Sequence, residues 1–125
     1  MLLNNDFFSL QLSSHTDETI EAQLHLNPSH RIFEGHFPGQ TVVPGVCMVQ
    51  MIKEILETSL DTKLFLQKAD YIKFLSVIDP RQNVDINASV RYTRSEKGYV
   101  ATASLFKDET VYLKLKADFR LSENL

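Results

Sequence analysis

Cysteine occurs once in these 125 residues, at Cys47, which rules out an internal disulfide and any metal site built from several cysteines. A lone cysteine fits a reducing compartment. Positive charge is also in short supply. Thirteen Lys and Arg stand against sixteen Asp and Glu, for a net charge of −3 and a pI near 5.8. There is no basic run and no interleaving of aromatics with cations, so nucleic acid is not an expected partner. No stretch is long and apolar enough to span a membrane. The N-terminal MLLNNDFFSLQL has neither the charged start nor the long apolar core of a secretory signal. The expectation is a soluble cytoplasmic protein without a membrane partner. Glycine and proline are scarce too, at four each. Three of those glycines and two of those prolines fall within eighteen residues, FEGHFPGQTVVPGVCMVQ, Phe33 to Gln50.

What is present is ordinary globular material. Apolar residues make up 43%, and the length suits one domain, residues 1–125. There is no internal repeat, low-complexity tract or linker. Strand period is plain in TIEAQLHLN, where Ile20, Ala22, Leu24 and Leu26 alternate with Glu21, Gln23 and His25. It returns in NVDINASVRY, with Val84, Ile86, Ala88, Val90 and Tyr92 on one face, and in TVYLKLKADFRL, with Val111, Leu113, Leu115, Ala117, Phe119 and Leu121. KGYVATASLF is apolar on both sides, as for a strand covered on both faces. DFFSLQLS and KADYIKFLSVI read as strands from their aromatic and branched residues.

One segment has the other period. PGVCMVQMIKEILETSLD opens with Pro44, suited to a first helical turn. Val46, Val49, Ile52, Leu56 and Leu60 recur at helical spacing, supported by Met48 and Ile55. Gln50, Glu54, Glu57 and Asp61 form a polar stripe, with Glu54 expected in solvent or at an interface. The chain order is two strands, a Gly/Pro loop, one helix and about four strands. A lone helix among antiparallel strands lies on one face of the sheet or is wrapped by it.

The loop has chemistry of its own. Gly35, Gly39 and Gly45 open backbone conformations closed to other residues. Pro38 and Pro44 stiffen the turns between them. His36 is delivered just before a helix whose free N–H groups, near Gly45 and Val46, can hold a carbonyl oxygen gaining negative charge. A histidine there can take a proton from the adjacent carbon. That pairing suits a thioester: α-proton removal, or hydrolysis. The plainer alternative is that Gly and Pro only shape the helix entry, with His36 bonded to a backbone carbonyl.

The stretch HRIFEGHFPGQTVVPGVCMVQM resembles the signature of the β-hydroxyacyl-acyl-carrier-protein dehydratases, a hotdog-fold family that also has thioesterase relatives. Phe33, Gly35, His36, Phe37, Pro38, Pro44, Gly45 and Val46 match at the family's spacing. The likeness runs on through KADYIKFLSVIDPRQNVDINASV. It implies an α+β hotdog fold, an antiparallel sheet of about five to six strands around one long central helix, with two subunits forming a continuous sheet. It implies His36 as the base, Gly45 as the oxyanion donor, a backbone carbonyl at Val42 steadying the histidine, and Phe37, Pro44 and Val46 beside the substrate. It implies no cofactor, and an acyl thioester on acyl carrier protein or coenzyme A as substrate, in fatty-acid or polyketide-type synthesis.

The resemblance breaks at one chemical point. The family's acid stands fourteen residues after the histidine, contributed by the partner subunit. Here that residue is Gln50, whose amide cannot donate a proton to a leaving hydroxyl at neutral pH. Thr41 departs as well, where the family usually has proline. Four readings follow: a dehydratase using another acid such as Glu54; a dehydratase subunit completed by a paralogous partner; a thioesterase in which His36 and Gln50 position water; and a non-catalytic acyl or carrier-protein binder. The assembly is expected to be a homodimer or higher even oligomer, or a heterodimer with a paralogue. Among the remaining residues, His15, His25 and His30 have no metal-ligand spacing, and His25 and His30 are expected at the surface. Cys47 is expected in the core, and Lys114, Lys116 and Arg120 in solvent.

Overall fold

A computed structural model describes residues 5–30 and 42–122. Within them the chain forms six strands and one helix. The order is β1 (Phe8–Thr16), β2 (Thr19–Leu26), α1 (Gly45–Leu60), β3 (Leu64–Phe74), β4 (Asp85–Arg94), β5 (Gly98–Lys107) and β6 (Thr110–Leu121). The strands make one sheet in the order β1-β2-β4-β5-β6-β3, antiparallel throughout. The helix is the crossover. It carries the chain from the second strand to the opposite edge, so its apolar stripe lies across the face it has to traverse.

That face is the core. Ile20, Leu24, Ile86, Val90, Leu105 and Leu113 are fully buried in one cluster with Met51, Ile52, Ile55 and Leu56 of the helix. The strand alternation does this, because residues two apart share a face. Small residues lie in the middle of the sheet: Ala22 pairs with Ala88, and Ala101 with Ala117. Short side chains there let the helix sit close to the strands.

The scarcity of glycine is met by aspartate. The β1–β2 turn holds Asp17 and Glu18 at φ 49° and 62°, and the β5–β6 turn holds Asp108 at φ 52°. Asp61, also left-handed, ends α1 and donates its N–H to the Glu57 carbonyl. Asp tolerates this region better than most residues that carry a Cβ.

Four expectations need correction. Pro44 is the residue before the helix, extended at φ −62° and ψ 146°, and the helical turn starts at Gly45. β5 is covered on one face only: Ala101, Ala103 and Leu105 are buried, while Thr102 is exposed and Val100 and Phe106 are half-buried. Val46, placed with the apolar stripe, is 76% exposed. Glu54, expected in solvent or at an interface, is 2% exposed. The last two follow from helix rotation: Val46 faces away from the sheet, whereas Glu54 falls on the flank that the sheet encloses.

Candidate active site

The entry to α1 is tethered by the Val43 N–H donating to the Ile78 carbonyl at 2.9 Å. From Pro44 the helical bonds begin: Cys47 and Met48 donate to the Pro44 carbonyl at 3.0 and 3.2 Å. The N–H groups of Gly45 and Val46 therefore have no acceptor within the helix. Among the described residues no side chain caps this end, and the first turn contains no acidic residue. The positive end of the helix dipole is left without a carboxylate of its own first turn to answer it.

In front of it lies an apolar groove of about 500 Å³, lined by Val43, Gly45, Met48, Phe74, Leu75, Ser76 and Val77. The Phe74 ring lies against Gly45 so closely that a methyl group added there would meet Cε1 and Cζ at 2.9 Å. The far wall is fixed through the backbone, with Leu75 and Ser76 donating to the Tyr112 carbonyl at 2.9 and 3.4 Å. The rim is apolar and open: Phe74, Leu75 and Val77 are each more than half exposed. An apolar groove leading to backbone donors that have no acceptor within the helix can bind an acyl chain and polarise its carbonyl.

Of the site residues expected from the sequence, His36 and Phe37 lie outside the described residues, as does Thr41. Gly45 lines the groove, whereas Val46, the next residue, is exposed and is not among the lining residues. Val42 and Pro44 are half-buried beside it, in the segment entering the helix. Gln50 is half-buried, and its Nε2 donates to Glu54 Oε2 at 2.9 Å. Glu54 also borders a depression of about 400 Å³ at the far end of the helix, with Asn5, Thr58 and Lys63.

Sequence reasoning missed two things. The aromatic and branched residues of KADYIKFLSVI place Phe74, Leu75 and Val77 in the tail of a strand, but β3 ends at Phe74 and the rest turns into the groove wall. Their signal was an apolar run, FLSVI, longer than one sheet face requires. The Gln50–Glu54 bond was visible only as a four-residue spacing.

The other candidates divide. Cys47 is 1% exposed, and burial pushes its thiol pKa up, as befits a small core residue. His25 is exposed and meets Asp85 at 2.7 Å. His30 corrects the surface expectation: its side chain is 15% exposed, 3.2 Å from Asp6, with its ring edge-on to Phe7. Lys114 is exposed, whereas Lys116 and Arg120 are half-buried. Among the described residues no cluster of His, Cys, Asp and Glu could hold a metal, and no helix is long and apolar enough to cross a membrane.

Known proteins share this architecture. A chain of the dehydratase heterocomplex ApeI:P from Xenorhabdus doucetiae superposes with a TM-score of 0.74 at 19% identity, over 88% of this chain and 94% of that one. A putative thioesterase related to phenylacetic acid degradation, from Ralstonia eutropha, does so at 0.64 and 12% identity, over 91% and 84%. By sequence, 3-hydroxyacyl-[acyl-carrier-protein] dehydratase FabZ of Rickettsia conorii is 28% identical over 62% of this chain and 69% of its own. The FabZ of Rickettsia bellii is 30% identical over 50% of this chain, and the match spans about half of that relative, 49%. The thioesterase likeness is one of fold, while the dehydratases share sequence as well. Residues 12–113 match the family described as ApeI-like, ApeI dehydratase. A sheet around one helix and a bare helix N-terminus facing an apolar groove are thus the frame of a dehydratase-like protein, and the chain belongs to the ApeI-like dehydratase family.

Proposed function

We propose that this chain is one subunit of a 3-hydroxyacyl-thioester dehydratase that draws its proton donor from a partner subunit. The observation that carries the reading is the uncapped start of α1 opening into the apolar groove at Gly45. An acyl chain lies along Phe74, Leu75 and Val77, and the thioester oxygen accepts from the Gly45 N–H. Negative charge builds on that oxygen as His36 takes the α-proton. The Cα–H bond breaks, the Cα–Cβ double bond forms, and the β-hydroxyl leaves as water once it has gained a proton. The substrate is carried by acyl carrier protein or coenzyme A, in fatty-acid or polyketide-type synthesis, in the cytoplasm.

The missing proton decides the assembly. Gln50 stands five residues after Gly45, about 7.5 Å along the axis and about 140° around it. It turns away from its own groove, which supports a site made with a second subunit. Glu54 is held against Gln50 rather than at Gly45. The heterocomplex formed by the Xenorhabdus doucetiae relative supports a partner subunit, here a paralogue carrying the acid; a homodimer or higher even oligomer is the simpler assembly. One observation favours a second reading. An amide at position 50 holds water well, which suits thioester hydrolysis.

A single assay separates the two. Purified protein is given a 3-hydroxyacyl thioester and a plain acyl thioester, and enoyl product and free thiol are followed separately. Enoyl product supports the dehydratase; thiol release without it selects the thioesterase. Neither product from the chain alone, followed by enoyl product when a paralogue is added, identifies the partner-completed enzyme. Continued silence leaves an acyl or carrier-protein binder.

A further inference from the structure

We infer that the sheet face turned away from α1 carries an anion site, a trough that takes a phosphate or diphosphate ester. The sequence builds it by side-chain size. On that face β5 presents Thr102 and Ser104, which pair with Arg91 and Ser89 of β4 and with Lys116 and Lys114 of β6. Short hydroxyl side chains therefore run between strands that carry long cations, and short between long leaves a trough. It measures about 370 Å³ and is lined by Tyr71, Ser89, Arg91, Thr102, Ser104 and Lys114. That is the size of a small-molecule site.

The positive charge in it is unopposed. The chain as a whole stands at −3, yet no carboxylate is among the lining residues. Among the described residues neither Arg91 nor Lys114 makes an ion pair. Lys73, opposite Lys114 on β3, adds a cation at the margin, its Nζ 5.0 Å from the centroid of the Tyr71 ring. The acids around the trough are engaged or set back. Glu21 accepts from the Ser89 hydroxyl at 3.0 Å, and Asp70 stands 3.9 Å from Lys116. Asp118 lies one row further along the sheet, opposite Val100 and Lys68. With Ser89 committed to Glu21, Thr102 and Ser104 supply the hydroxyl donors of the floor. Arg91 and Lys114 face each other diagonally, two strands and one row apart, about 12 Å between Cα atoms. A guanidinium fork from one wall and an ammonium from the other can clasp one phosphate or share a diphosphate. A phosphate offers three acceptor oxygens to these donors, where a carboxylate offers two. The trough lies on the opposite side of the sheet from the groove at Gly45, so the inference stands apart from the reaction proposed there.

The test is titration of inorganic phosphate and inorganic pyrophosphate into the intact chain at constant ionic strength, followed by backbone amide and arginine Nε resonances. Thr102, Ser104 and Arg91 should shift saturably. Arg91→Ala and Lys114→Ala should each weaken pyrophosphate binding about tenfold, the worth of one charge-assisted hydrogen bond. Arg91→Lys keeps the charge, loses the fork and should fall between wild type and Arg91→Ala. The pair Thr102→Val with Ser104→Ala removes the floor donors, leaves every charge and should weaken binding about fivefold. Lys97→Ala, which removes an exposed cation in the β4–β5 turn, should change nothing. A wild type with no saturable shift overturns the inference. So does an equal loss in Lys97→Ala, which would reveal a diffuse attraction of charge. Full affinity in Arg91→Ala or, if that variant does not fold, in Arg91→Lys overturns it as well.

Discussion

Gly45 matters through the space it leaves. A methyl group there would meet the end of the Phe74 ring at 2.9 Å. That ring is 54% exposed and can swing outward, so Gly45→Ala should lower stability by less than about 1 kcal/mol. The same methyl sits over the backbone donors, and turnover should drop at least about tenfold, a loss near 1.4 kcal/mol in barrier terms. Melting temperature and dehydration rate, measured on the one variant, check both halves. At this scale the letters give a spacing, of the glycine, the histidine before it and the amide fourteen residues after that histidine; of these the described residues include Gly45 and Gln50. Phe74 could not be read this way, since its contact with Gly45 joins residues brought together by the crossover. Nor could the state of Glu54, because a helical stripe tells which residues share a side and not how far the sheet extends around it.

Strands were legible wherever one face is apolar and the other polar, as in β2, β4 and β6. β5 misled because Val100 and Phe106 are apolar on the side away from the helix, and alternation cannot tell a covered face from a partly exposed one. Helix α1 kept its predicted extent to within a residue, since its period runs over four turns. Gly98 shows how tightly the elements fit. A Cβ there would fall on the Phe119 carbonyl oxygen and stand 2.8 Å from Arg120 Cα, both backbone atoms of β6. Backbone held in the β5–β6 ladder cannot swing aside as the Phe74 ring can. Gly98→Ala should therefore lose about 2–3 kcal/mol and lower the melting temperature on the order of 10 °C. An unchanged melting temperature would mean that β5 and β6 separate more easily than their ladder implies.

In the whole molecule the sheet of the described residues ends at β1 and β3, and an edge strand offers backbone groups to a further partner. β3 is the edge beside the groove. Its Phe65 and Phe74 are about half exposed, at either end of a strand with Lys68 and Asp70 in the middle. A second subunit laid antiparallel along β3 would bring Lys68 near Asp70 of its copy and cover both aromatics. Light scattering should then give a mass of twice the chain or more, and Phe65→Asp should reduce it to that of a single chain. A wild-type mass of one chain contradicts a site shared between two copies of this chain and leaves the paralogue-completed assembly. The hydrophobic pattern could not announce this, because an edge strand and an interior strand alternate alike. The central claim is narrower still: the frame performs dehydration and lacks only an acid at position 50. Gln50→Glu supplies it. Followed by enoyl-thioester formation from a 3-hydroxyacyl thioester, without any partner protein, this variant should exceed the wild-type chain by about 10²- to 10⁴-fold, the range of general acid catalysis. A variant that forms no enoyl product, while wild type and variant alike release free thiol, would contradict it.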